Sequence, residues 1–187
     1  MKLVSSLLFA ATFLVPTIAM GDTKSEAGKS LPLSIHMEWG IGDLGTTIDL
    51  RYEAENPSNG TMEAAEYAGD GYLLLQGTIK LDEHDIDRLL MAKSKFNIAE
   101  LAPELPPATA KSASNKTVPD VLICYSWLKL LVTQQGLTKS VKRDCQEDEG
   151  SLAAAAFARD LIRTAQVHFP DIGKSQLWQH ELGQPAE

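Results

Sequence analysis

With 187 residues, a formal net charge of −8 at pH 7 and 44% hydrophobic residues, the chain has the size and composition of one globular domain. Its 25 acids outnumber its 17 Lys and Arg, and the bases form no cluster. That balance excludes nucleic-acid and anionic-membrane binding, both of which rest on counterion release or attraction by a basic surface.

The first residues, MKLVSSLLFAATFLVPTIAMGD, join Lys2 to an apolar run from Leu3 to Ile18, broken by Pro16 before the small residues Ala19 and Gly21. This predicts a cleaved secretory signal over residues 1–21, cut after Ala19 or Gly21. The alternative, an uncleaved membrane anchor, fits less well because the run is shorter than the ~20 residues that a bilayer core requires. No later segment is apolar for long enough to suggest a second span. The expected product has no membrane span after processing and resides outside the cell or in the lumen of the secretory pathway, or in the periplasm if the source is bacterial.

Residues 22–32 are small and polar and read as a flexible lead-in. Leu33, Ile35, Met37 and Trp39 then alternate with Ser34, His36, Glu38 and Gly40, the period of two that turns one strand face to a core. After a glycine-rich link, Ile48, Leu50 and Tyr52 alternate with Thr47, Asp49, Arg51 and Glu53, which predicts a hairpin. Residues 54–70 hold turn residues and acids without a clear period and read as a loop, with at most one helical turn near Met62–Tyr67. Residues 71–81, GYLLLQGTIKL, resume strand character, with a glycine, Gly71 or Gly77, as a candidate bulge.

Asp82 suits a helix N-cap with Asp85 at the capping-box distance, and Ile86, Leu89, Leu90 and Phe96 give that helix its buried stripe. Residues 102–119, rich in Pro, Ala, Ser and Lys, read as a mobile linker. Val121, Ile123, Tyr125 and Trp127 alternate with Leu122, Cys124, Ser126 and Leu128, and Leu137 and Val141 mark a returning strand after Gln134-Gln135-Gly136. Ser151 suits the cap of a last helix with Phe157, Leu161, Ile162 and Ala165 on one face, ended by Phe169-Pro170. Residues 171–187 read as a C-terminal tail, polar apart from Ile172, Leu177 and Trp178.

The expected fold is one α+β domain over residues 33–170. Its mostly antiparallel sheet has about five strands in the order β-β-β-α-β-β-α, with two helices packed on one face.

The only two cysteines, Cys124 and Cys145, stand in a chain expected to meet an oxidising compartment, where an even count usually means a bridge. A two-residue loop at 134–135 sets them directly opposite each other, and a three-residue turn with a bulge shifts the register by one and leaves them neighbours. Without a C-x-x-C motif the bridge reads as a structural staple, stabilising by about 3 kcal/mol in the chain-entropy picture. Asn59-Gly60-Thr61 and Asn115-Lys116-Thr117 are glycosylation acceptor patterns.

Gly40-Ile41-Gly42-Asp43-Leu44-Gly45 matches G-x-G-x-x-G, but a strand pattern rather than a helix follows it, so it reads as a hairpin turn and no cofactor is expected. His36, His84, His168 and His180 show no zinc spacing, no metal site is expected, and the acidic start at residues 82–85 reads as a helix cap. There is no G-x-S-x-G elbow, the cysteines are committed to the bridge, and no catalytic residue is assigned. Trp39, Tyr125 and Trp127 lie on predicted strands, where core packing is the first explanation and a partner surface the second.

Over residues 71–145, the run LLLQGTIKLDEHDIDRLL, then Phe96, a proline-rich link and a cysteine-flanked hairpin resemble the luminal domain of subunit 10 of the endoplasmic-reticulum membrane protein complex. The order strand, helix, F-x-x-x-x-L-x-P and a Tyr/Trp hairpin followed by a helix is similar to emfourin-type metalloprotease inhibitors. The first resemblance implies an accessory subunit of a secretory-pathway membrane complex, and the second implies a secreted inhibitor of a protease or other hydrolase. The resulting expectation is a non-enzymatic domain that works by contact with another protein.

Overall fold

A computed structural model describes residues 31–42, 45–97, 100, 126–144 and 149–183. It is an α+β fold built on one six-stranded sheet in the order β4-β3-β2-β1-β5-β6, in which every neighbouring pair is antiparallel. The strands are β1 (Leu33–Ile41), β2 (Thr47–Asn56), β3 (Asn59–Tyr67), β4 (Leu73–Leu81), β5 (Ser126–Gln134) and β6 (Leu137–Asp144). The helices are α1 (Glu83–Phe96), α2 (Glu149–Gln166) and α3 (Gln176–Leu182).

The period of two in β1 and β2 does what it predicts. Leu33, Ile35, Met37 and Trp39 pair with Ala54, Tyr52, Leu50 and Ile48 on one side and with Gln134, Val132, Leu130 and Leu128 on the other. These eleven hydrophobic side chains are all buried, and the three helices cover the same face through Ile86 and Leu89 of α1, Phe157, Leu161 and Ile162 of α2, and Trp178 of α3. Phe96 meets Phe157 with ring centroids 6.0 Å apart, which locks α1 against α2. Tyr52 reaches up from β2 and donates its hydroxyl to the Leu161 carbonyl at 2.6 Å, so α2 is held to the sheet by a buried polar contact as well as by packing.

Helix α1 begins as its sequence indicates. Asp82 accepts from the Asp85 backbone N–H at 2.9 Å, and the Asp85 side chain accepts from the Asp82 N–H at 3.3 Å, a complete capping box. The first of these bonds is the main reason the Asp82 carboxyl titrates below its ordinary range.

Five expectations are corrected. The stretch 54–70 is not a loop, because β2 continues to Asn56 and β3 occupies Asn59–Tyr67, making six strands rather than about five. The buried side of β3 is Gly60, Met62, Ala64 and Glu66, too small or too polar to show a hydrophobic period. The bulk there comes from elsewhere in the fold, since a Cβ on Gly60 would sit 3.3 Å from both Ile86 Cδ1 and Leu81 Cδ1.

Gly77 is not a bulge. It pairs regularly with Ala64, and the β3–β4 register shift falls between Glu66 and Tyr67. Gly77 is required because the Phe169 ring lies where a Cβ would project.

The β5–β6 turn is one residue later than expected. Gln135 (φ 51) and Gly136 (φ 80) are both left-handed, as a two-residue type I′ loop requires, so Gln134 pairs with Leu137 and Trp127 with Asp144. That is not the register that sets Cys124 directly opposite Cys145; both cysteines, with residues 102–119, lie outside the described residues.

Finally, α2 starts at Glu149 and ends at Gln166, so Ser151 falls inside its first turn and Phe169-Pro170 beyond its end. Residues 171–183 belong to the core rather than to a tail: Ile172 and Trp178 are fully enclosed and Leu182 is 1% exposed. Sequence hid this because α3 is only seven residues long, with Leu177 exposed beside the enclosed Trp178.

Glu66 anchors this C-terminal lap from the sheet. Its carboxylate is buried and accepts the Gly173 N–H at 2.9 Å. Burial raises its pKa, and the Gly173 bond only partly offsets that. The folded state therefore holds the Glu66 proton more tightly than the unfolded chain does, so this group's contribution to stability is greatest at low pH and falls as pH rises through the raised pKa. Glu66→Gln keeps an acceptor for Gly173 and removes the charge. The variant should match the parent in urea denaturation near pH 4 and exceed it at pH 7; equal pH profiles for the two proteins would contradict this assignment.

Candidate functional site

The side chains opposite the helices form the second face of the sheet, and among the described residues no helix or strand packs on it. The alternation that buries Ile35, Met37 and Trp39 necessarily turns Ser34, His36 and Glu38 outward on β1, Asp49 and Arg51 on β2, and Trp127, Lys129 and Leu131 on β5. The centre of this face is polar and charged, with one aromatic anchor.

That anchor is Trp127, one of the candidate partner residues. It is half-buried, with its indole directly against Gly40 on the neighbouring strand, in space that any side chain at position 40 would need. Lys129 Nζ stands 4.9 Å from the Trp127 ring centroid and donates to Glu38 Oε2 at 3.0 Å. Leu131 continues the row and is 41% exposed.

Trp39 lies on the opposite side of the sheet. It is fully enclosed, its Nε1–H donates to Ser126 Oγ at 3.0 Å, and it offers no surface to a partner. Tyr125 and Asn115 lie outside the described residues, whereas Asn59 is exposed at the start of β3 with its amide donating to Glu55 Oε2 at 2.8 Å. Gly40, Ile41 and Gly42 (φ 77) lead into the β1–β2 turn, where Ile41 N–H donates to Thr46 O at 3.0 Å, and β2 starts at Thr47. The G-x-G-x-x-G pattern is a hairpin connection, as expected.

Next to Trp127 lies a group that the sequence reading did not single out. Glu38 and Asp49 are direct cross-strand partners, and His36 precedes Glu38 by two residues on the same face. His36 Nε2 donates to Asp49 Oδ1 at 3.0 Å and stands 3.7 Å from Glu38 Oε1. The ligand-capable atoms of all three residues lie within 4.8 Å of one another. The remaining oxygen of each carboxylate is held by a cation: Glu38 Oε2 by Lys129 at 3.0 Å, and Asp49 Oδ2 by Arg51 at 3.4 Å. The signal available in the sequence was His-x-Glu on one strand face, but its third member appears only once β1 and β2 are in register.

Beyond Arg51 a shallow cleft of about 180 Å³ runs over β2, β3 and β4 and is lined by Glu63, Tyr67, Gln76 and Thr78. Small-molecule sites generally start near ~300 Å³. The sheet face therefore presents a surface to a macromolecule more readily than a pocket to a metabolite. Comparison with protein-family models finds no match for the chain, and comparison with curated proteins finds none either.

Proposed function

We propose that the chain is an exported, non-enzymatic interaction domain that binds another protein through the uncovered face of its sheet, centred on Trp127. The supporting observation is the arrangement on β5 of an immobilised, half-buried indole followed on the same face by a lysine and an exposed leucine, on a face with no described element over it. Tryptophan is enriched among the residues that dominate protein interfaces, and one held in place loses little conformational entropy on binding. The export signal, the Cys124–Cys145 bridge and sugar on Asn59 or Asn115 belong to the same reading, as does an accessory role beside a secretory-pathway membrane complex.

The test is affinity capture with the processed chain from its native compartment, comparing the parent with Trp127→Ala and with Leu152→Ala. Leu152 is 54% exposed on α2, away from the proposed face. The expected result is a specific protein partner held by the parent and by Leu152→Ala, and weakened by about thirtyfold in folded Trp127→Ala, the loss of an interface hot spot. A partner retained equally by all three proteins would place the contact elsewhere.

A further inference from the structure

We infer that His36, Glu38 and Asp49 form a binding site for one divalent transition-metal ion of the zinc class. This site does not depend on any protein partner. The three donors are a ring nitrogen and two carboxylate oxygens, a set that suits zinc and its neighbours better than calcium or magnesium, which take oxygen ligands almost alone. Bonds of about 2.0–2.2 Å to a tetrahedral zinc put neighbouring ligand atoms roughly 3.3–3.6 Å apart. The observed separations from His36 Nε2, 3.0 Å to Asp49 Oδ1 and 3.7 Å to Glu38 Oε1, bracket that spacing without an ion. Binding an ion would widen the His36–Asp49 pair slightly and draw Glu38 inward, with all three ligand atoms already within 4.8 Å of one another.

The placement is as informative as the distances. Like charges directly opposite each other across two strands oppose pairing, yet Glu38 faces Asp49 in the middle of the β1–β2 ladder. Each carboxylate turns one oxygen toward the imidazole and gives the other to Lys129 or Arg51. That is the division expected when outer-shell partners orient metal ligands. The two cations also lower the site's net charge, which points to modest rather than very tight affinity. Three protein ligands leave a fourth tetrahedral position open, and the site is partly solvent-accessible on the sheet face. Without an ion, the His36 Nε2–H occupies the Asp49 oxygen; a metal at Nε2 takes the tautomer that carries its proton on Nδ1.

The test is isothermal titration of the processed, metal-free chain with a simple Zn²⁺ salt in a non-chelating buffer. His36→Ala, the isosteric Asp49→Asn and His84→Ala are run in parallel, with folding checked by circular dichroism. The expected result is one equivalent bound at about pH 7.5. Affinity should fall at least about tenfold in His36→Ala and Asp49→Asn. His84→Ala should bind as the parent does, since His84 sits on α1 beside Arg88. No heat of binding to the folded parent up to millimolar Zn²⁺, or unchanged binding by both ligand variants, would overturn the assignment.

Discussion

Trp178→Ala is expected to destabilise the domain by about 3–5 kcal/mol, the range for removing a fully enclosed aromatic side chain and leaving a cavity. The indole has no exposed surface and meets Trp39 edge-on, with centroids 5.3 Å apart and planes at 83°. It is also the main anchor of α3, whose seven residues are far too few to hold a helix by themselves. Once Trp178 is lost, α3 is left to weaker attachments such as Leu182 and the bonds from Arg159 to the Glu181 carbonyl (2.7 Å) and from Arg163 to the Leu182 carbonyl (3.4 Å).

Trp178→Phe separates packing from polarity. Trp178 Nε1 is buried without a hydrogen-bond partner among the described residues, and a phenyl ring discards that desolvated donor while keeping most of the contact. Its cost should stay below about 1.5 kcal/mol, as for a hydrophobic swap of similar shape. Guanidinium denaturation followed by far-UV circular dichroism measures both variants. A loss under 1 kcal/mol in Trp178→Ala would mean that the C-terminal lap is dispensable to the core.

Asp85→Ala should cost about 2–4 kcal/mol, because one buried carboxylate serves two parts of the chain. Asp85 Oδ2 accepts from the Asp82 backbone N–H at 3.3 Å, closing the capping box of α1, and from His168 Nε2 at 3.0 Å, tying α1 to the turn that follows α2. Its side chain is only 4% exposed, whereas the His168 ring is 27% exposed and Asp82 is exposed, so alanine costs each donor a bond to a charged acceptor that water only partly replaces, at roughly 1–2 kcal/mol each. His168→Ala alone should cost less, since the cap survives it. A double-mutant cycle should give a coupling of about 1–2 kcal/mol between the two side chains, within the range for directly bonded neighbours. Strict additivity would show that the His168 contact contributes nothing to stability.

Both predictions concern contacts whose two ends read very differently in sequence. The Asp82/Asp85 cap was legible because it is local: its four hydrogen-bonding atoms lie within one helical turn. The bond from Asp85 to His168 spans 83 residues and leaves no trace in either neighbourhood. Trp39 shows the same limit on the strand side. Alternation assigned it a face, yet the choice between core and partner surface depended on which face the helices would cover.

The sequence by itself determined which positions of β1 and β2 point inward, the capped start of α1, the apolar stripe of α2 with Phe157, Leu161, Ile162 and Ala165, and the antiparallel α+β class. These follow from periods of two and 3.6 and from side chains that bond within a few residues of themselves. Only the tertiary structure decided that Gly60, Met62 and Ala64 line a third strand, that Trp178 closes the core, that the last hairpin turns at Gln135-Gly136, and that His36, Glu38 and Asp49 converge. Strand pairing is the physical reason. A strand's own pattern fixes which side chains share a face, whereas its neighbours and its register come from hydrogen bonds and packing supplied by residues far away in the chain.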